Sequence, residues 1–262
     1  MKITTWNVNS IGARLEHLLT FIKKNQSDII LLQELKCIND AFPYQQIKEI
    51  GYNCYVNGQK AWNGVAILSK DKLKITNTKI PTFTQDEQSR FLETEIKINK
   101  IKKSIKLFCI YLPNGNPIDT EKFDYKLKWM KNFNDYIYQL YKEDWPIIIG
   151  GDFNVIPTDD DVYEPKNFKD DACAHPKTRK LYQILINLGL TDTVKYFIEG
   201  KSNWTYWGYR GGGWQKGNGL RIDHFLTSPE VTDIVKNVKI DRNPRSWEKA
   251  SDHTPVILEL NN

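Results

Sequence analysis

A layered architecture of strands and helices, α/β or α+β, is what this 262-residue sequence predicts. Three observations carry the prediction. Short apolar runs bounded by turn residues outnumber the helical stretches. The helices fall singly between those runs, the pattern of sheets covered by helices. The length sets the scale: a folded monomer of this size leaves roughly 12,000 Å² in contact with water and buries most of the rest of its surface, so a large core needs no staples.

In order, Ile3 to Val8 reads as a strand, and Ile11, Leu15, Leu18, Leu19 and Ile22 repeat at helical spacing. Asp28 to Gln33 (DIILLQ) is apolar almost throughout, the mark of a strand buried on both faces. Gly64 to Ser69 and Arg90 to Ile98 read as strands, the second alternating. Ile105 to Leu112 is another, and Pro113-Asn114-Gly115 turns the chain after it. Phe123, Leu127, Met130, Phe133, Ile137, Leu140 and Tyr141 describe an amphipathic helix. Pro146 to Gly150 is a buried strand, and Thr178 to Leu188 a helix stopped by Gly189. Ile222 to Leu226 and Pro255 to Leu260 are the closing strands, while polar Pro157 to Pro176 reads as a surface excursion. No linker, repeat or low-complexity tract divides the chain, so one domain over residues 1–262 is expected.

Composition excludes several classes. With 26% charged and 40% apolar residues the chain is too apolar for disorder. No run approaches the roughly 20 apolar residues of a membrane span, and Met1-Lys2-Ile3-Thr4 leads into a strand without a signal-peptide segment. Cys37, Cys54, Cys109 and Cys173 lie far apart, which points to reduced thiols and a cytoplasmic protein rather than a zinc cluster. There is no GxxxxGK[ST] loop and no GxSxG elbow.

The chemistry gathers at strand ends. Asn7 ends the first strand, Glu34 ends DIILLQ, and Tyr111 is near the end of its strand. Asp152 and Asn154 follow PIIIG, Asp223 opens a strand, and Asp252-His253 precedes the last. A carboxylate at a buried strand end is costly unless it is paired, hydrogen-bonded or bound to a cation. Carboxylate and amide oxygens are hard donors that suit Mg²⁺, with Mn²⁺ as the alternative. An Asp–His pair suits proton transfer, so hydrolysis of a phosphoester by activated water fits this inventory. Blander readings stand beside these: Asn7 as a turn cap, Tyr111 as a core residue, Asp223 as an ion partner of Arg221.

The segments Thr5-Trp6-Asn7-Val8-Asn9-Ser10, Leu32-Gln33-Glu34-Leu35-Lys36, Asn63-Gly64-Val65-Ala66-Ile67, Tyr111-Leu112-Pro113-Asn114-Gly115, Gly151-Asp152-Phe153-Asn154, Arg221-Ile222-Asp223-His224 and Ser251-Asp252-His253-Thr254-Pro255-Val256 resemble the ordered motifs of the endonuclease/exonuclease/phosphatase superfamily. Within it the chain is similar to the exonuclease III branch of apurinic/apyrimidinic (AP) endonucleases, from residue 2 to residue 260. The resemblance implies a four-layered α/β sandwich with two mixed sheets packed face to face. It implies a Mg²⁺-dependent DNA repair nuclease that cuts duplex DNA 5′ to abasic sites, leaving a 3′-hydroxyl. A 3′→5′ exonuclease and 3′-phosphatase acting on 3′-blocked ends, a monomeric state and no membrane partner are implied with it. In a bacterium the protein would lie with the nucleoid in the cytoplasm.

Roles follow from the same resemblance. Glu34 would be the main metal carboxylate, with Asn7 and Asp252 completing or supporting the site. Asp152 would orient or deprotonate the attacking water, and Asn154 would help to position water and phosphate. His253, held by Asp223, would contact the phosphate, and Tyr111 would contribute a phenol or phenolate. Asp152, Asn154 and His253 could also serve a second metal position.

DNA contacts centre on Asn203 to Leu220, which holds three Trp, two Tyr and six Gly. Its Arg210 to Gly219 part is expected to be a mobile loop. There Trp214 would probe DNA, while Tyr206, Leu220 and Ile222 would wall a pocket for the base-less sugar. Asn114, Arg90 and Arg210 would meet phosphates, giving salt-sensitive binding. The pocket is expected to be snug enough to exclude a normal base. Two other readings compete: another enzyme of this fold, either deoxyribonuclease I-like or an inositol-phosphate or sphingolipid phosphatase, and an inactive DNA-binding scaffold.

Overall fold

Two mixed sheets pack face to face with helices on both outer faces in this computed structural model, which describes residues 1–261. In chain order the strands are β1 (Lys2–Asn7), β2 (Ile29–Gln33), β3 (Asn53–Asn57), β4 (Val65–Ser69), β5 (Ile75–Asn77), β6 (Phe91–Ile96), β7 (Ile105–Tyr111), β8 (Ile147–Asp152), β9 (Thr191–Asp192), β10 (Asp223–Thr227), β11 (Val235–Ile240) and β12 (Val256–Leu260). The longer helices are α1 (Ile11–Asn25), α2 (Tyr44–Glu49), α3 (Glu121–Lys142) and α4 (Pro176–Asn187). Among the described residues one sheet has the order β11-β12-β1-β2-β4-β3, and the other β5-β6-β7-β8-β10-β9.

The all-apolar runs are explained by burial on two sides. In β2, Leu31 points between the sheets toward Ile67, Leu107, Ile148 and Phe225. Ile30 and Leu32 point outward and meet Phe21 and Ile22 of α1. On the far side Phe108, Ile147 and Ile149 pack under Trp129, Phe133 and Ile137 of α3 and Tyr182 of α4. Each such side chain contributes about 1.5–3 kcal/mol when fully buried. These three apolar layers separate four layers of structure, as the resemblance implied.

Strand pairing decides where the site lies. β1 runs parallel to β2 and β7 parallel to β8, each pair joined through a helix, α1 or α3. Parallel strands end at one pole, so Asn7 stands opposite Gln33, and Tyr111 opposite Asp152. β10 runs antiparallel to β8 and sets Asp223 opposite Asp152. β12 starts with Val256 opposite Thr5, which leaves Asp252 and His253 at that same pole.

Three expectations are corrected. β6 alternates in polarity but not in exposure: Glu93 is buried beneath α3, bonded to Lys106 Nζ at 2.9 Å and Tyr136 OH at 2.7 Å. Residues 157–176 are a surface excursion only in part, since Asp161, Val162, Ala172 and Cys173 are buried among otherwise exposed or half-buried residues. Arg210 to Gly219 is folded rather than an open loop. It forms two short helical turns, Arg210–Gly212 and Gly213–Lys216, with Gly211, Gly212 and Gly217 at φ near +70°. Side chains other than glycine rarely adopt that conformation. Among the described residues no helix is long and apolar enough to cross a membrane.

Candidate active site

The strand ends bring Glu34, Asp152 and His253 together, with one ligand atom of each within 4.8 Å of the others. Asp152, at the end of β8, is 1% exposed. Its Oδ1 accepts from the Asn154 N–H and its Oδ2 from Asn7 Nδ2, both at 2.9 Å. Burial pushes its pKa up; His253 opposes that shift and the Asp223 charge adds to it. Glu34 follows β2 on left-handed backbone, φ +53°. Burial would raise its pKa as well, but Lys36 Nζ at 2.9 Å and the Asn7 N–H at 2.9 Å hold it below the usual carboxylate range.

His253 is buried, with Nδ1 2.9 Å from Asp223 Oδ2 and Nε2 3.7 Å from Asp152 Oδ2. Burial alone would discharge the ring, yet Asp223 and then Asp152 hold its pKa well above the ordinary histidine value, so it stays an imidazolium. Asp223 therefore pairs with His253, and Arg221 bonds Asp161 and Asp192 instead. The Tyr111 hydroxyl is driven far up by burial and by the Glu34 and Asp152 charges. That direction favours the phenol of the two expected forms.

Several expected metal ligands are otherwise engaged. Asn7 gives the two carboxylates its N–H group, while its oxygen accepts from the Asn9 N–H at 3.0 Å. Through its amide nitrogen it clamps Glu34 to Asp152. Asn154 Oδ1 accepts from Asn114 Nδ2 at 3.0 Å. Asp252 lies outside the three-residue cluster, its Oδ1 held by Asn9 Nδ2 at 2.9 Å.

These groups open into a cleft of about 680 Å³. Tyr206, Leu220 and Ile222 form part of its apolar wall, and Asn114 and Arg210 reach it as well. Trp214 does not line it: its ring packs edge-on against Trp207 at 4.8 Å. Arg90 lies in an adjoining groove, its guanidinium 4.8 Å above the Tyr111 ring and bonded to the Tyr111 carbonyl at 3.2 Å. The sequence reading missed Lys36, whose position two residues after Glu34 was the available signal. It also missed Tyr163, Phe168 and Cys173, cleft residues from the supposed surface excursion. Trp62, 71% exposed beside the Arg90 groove, was hidden in a polar loop.

Against known proteins, residues 4–253 match the family described as Endonuclease/Exonuclease/phosphatase family. Exodeoxyribonuclease III of Haemophilus influenzae is 33% identical, covering 99% of this chain and 100% of that protein. A 3′ phosphatase from Neisseria, solved bound to a product DNA hairpin, superposes with a TM-score of 0.93 at 34% identity over 100% of both chains. An AP endonuclease from Archaeoglobus fulgidus gives 0.90 at 31% identity, again over 100% of both.

Proposed function

The chain belongs to the Endonuclease/Exonuclease/phosphatase family, and on that premise we propose that it is a Mg²⁺-dependent DNA repair nuclease. It is a phosphodiester hydrolase. It cuts duplex DNA 5′ to an abasic site, leaving a 3′-hydroxyl, and removes 3′-terminal nucleotides and 3′-phosphates. The observation that carries this reading is the convergence of Glu34, Asp152 and an Asp223-held His253 at the floor of one cleft. Similarity to an exodeoxyribonuclease III, a 3′ phosphatase and an AP endonuclease supports the three activities.

The donor set fits a hard divalent cation. Glu34 and Asp152 are two carboxylates drawn together in a buried place, and carboxylate oxygens are hard donors. Those two residues would hold Mg²⁺, with Asp252 behind them through Asn9. When bound, the ion supplies positive charge to the phosphate oxygens as bond order changes at phosphorus.

The protein's own groups do the rest. Asp152, buried and 3.7 Å from His253, is placed to orient or deprotonate the attacking water. Breaking the P–O3′ bond with one water yields a 3′-hydroxyl and a 5′-phosphate. The His253 imidazolium donates to a phosphate oxygen through Nε2, while Asp223 fixes its ring. Tyr111 and Asn114 add neutral donors at the rim. Tyr206, Leu220 and Ile222 present an apolar wall to the sugar, which costs little to extrude when no base is stacked.

A duplex with one tetrahydrofuran abasic analogue tests the reading. We expect a cut 5′ to the analogue with Mg²⁺ and none with EDTA. An intact duplex in both arms overturns the proposal. Glu34→Ala and His253→Ala should each lose about 10²–10³ in kcat while remaining folded.

A further inference from the structure

Lys126 interrupts the apolar face of α3, flanked at helical spacing by Phe123, Trp129, Met130 and Phe133. It is 0% exposed. Lysines stay fully buried only when something meets the ammonium. Here, among the described residues, its hydrogen bonds go to two main-chain carbonyls, Asn154 O at 2.6 Å and Asn114 O at 3.0 Å. Those carbonyls belong to the turns after β8 and β7, which carry the phosphate-facing side of the cleft. The same two residues also meet through their side chains, Asn114 Nδ2 donating to Asn154 Oδ1 at 3.0 Å. The ammonium thus closes a triangle that joins both turns from below.

Two backbone features depend on this anchor. Asn154 sits at φ +47°, a conformation most side chains avoid, and in it the Asn154 N–H reaches Asp152 Oδ1. Gly115, at φ +85°, lies directly on the lysine stem, where a Cβ would stand 2.5 Å from Lys126 Cδ. The Pro-Asn-Gly turn can therefore close over the lysine only with glycine in third place.

We propose that Lys126 is a positioning residue for the cleavage reaction. It ties the Asn114 and Asn154 turns together, fixes the Asn154 backbone that orients the Asp152 carboxylate, and acts without touching substrate. The inference rests on the reading of the cleft as a phosphodiester-cleaving site. A lysine that merely filled a core slot would change stability when replaced, but would not act through Asn154.

The experiment separates these. Lys126→Met is compared with the unaltered protein, with Asn154→Ala and with the double variant, on the tetrahydrofuran duplex under multiple- and single-turnover conditions. Hydrogen exchange of peptides 112–117 and 152–157 is followed in parallel. We expect kcat to fall about 100-fold with KM changed by less than about threefold, the signature of misplaced catalytic groups. Once Asn154 is alanine, the same substitution should cost less than about threefold more. Both peptides should exchange at least about tenfold faster, while 105–110 in β7 does not change. A kcat within about threefold of the unaltered protein, or losses that multiply fully in the double variant, overturns the proposal. If the unaltered protein cuts no DNA, the proposed activity fails, and the exchange result alone then decides the tie; unchanged exchange in both turns overturns it. Should Lys126→Met not fold, Gly115→Ala presses on the same lysine stem and is judged by the same criteria.

Discussion

Two buried charge clusters sit two residues apart in sequence and behave in opposite ways. Arg221 lies between Asp161 and Asp192, with Nε 2.7 Å from one carboxylate and NH1 2.7 Å from the other. Each carboxylate finds further donors: Thr158 for Asp161, and Tyr182 OH and the Lys195 N–H for Asp192. Burial would raise both acids, yet Arg221 holds them below the usual range. Asp223, Asp152, Glu34 and His253 form the other cluster. There burial outweighs the pull of His253 on Asp152, the Asp223 charge adds to it, and Asp152 is pushed up instead. The Arg221 cluster, buried and bonded except for one Arg221 nitrogen, NH2, stabilises the fold. The other, opening into a cleft, is placed to meet a cation, a phosphate and a proton.

Substitutions can break or sharpen that contrast. The largest effect belongs to the cleft: Asp152→Asn should lower kcat by about 10³-fold or more. Its melting temperature should be unchanged or higher, because a crowded negative charge is removed. Steady-state kinetics beside thermal unfolding read both, and a rate loss accompanied by collapse of the fold would erase the contrast.

Arg221→Met should do the reverse. Removing one partner of a buried ion pair costs about 3–5 kcal/mol, here with two carboxylates stranded. The fraction that remains folded should cleave at close to the normal rate, as denaturant unfolding and active-site titration would report.

Mg²⁺ comes next. By mass action it should stabilise the unaltered protein by about 2.7 kcal/mol at a hundredfold excess over its Kd. Asp152→Asn should lose most of that shift in a thermal melt, whereas Arg221→Met should retain it.

The smallest effect is acid sensitivity of the Arg221 cluster. Asp161 and Asp192 titrate lower in the folded chain than in the unfolded one. The unfolded chain therefore binds more protons as pH falls toward and below about 4. Their contribution is complete above that range and is lost as pH drops through the folded values. Arg221→Met should flatten this part of the stability–pH curve, and an unchanged slope would assign the acid loss to other groups.

The limits of sequence reading follow a division between covered and exposed surroundings. Eight strands were legible because both their faces are covered, which writes unbroken apolar runs into β2, β7 and β8. The four that escaped, β3, β5, β9 and β11, are the four sheet edges. An edge strand packs weakly on one side, so Asn53–Asn57 and Val235–Ile240 read as polar chain. At the site, Glu34, Asp152 and His253 could be found because carboxylates and histidine stand out beside apolar strands. Lys126 could not, since a lysine within a helix reads as solvent-facing until its main-chain partners are seen. For Trp214 a Gly-rich aromatic segment gives composition but not direction: its half-buried ring rests edge-on against Trp207.

The joining of β12 to β1 has a consequence in time. The Trp6 indole N–H reaches the His253 carbonyl across 247 residues, and Ser251 Oγ reaches the Asn7 carbonyl across 244. Proteins are made from the N-terminus, and segments fold as they emerge. A growing chain can assemble Glu34 and Asp152 early, but it holds no imidazole at the cleft until the segment carrying His253 has left the ribosome and zipped onto the first strand. Cleavage by this cleft therefore waits on the pairing of β12 with β1, which is what brings His253 to Asp152 and Asp223.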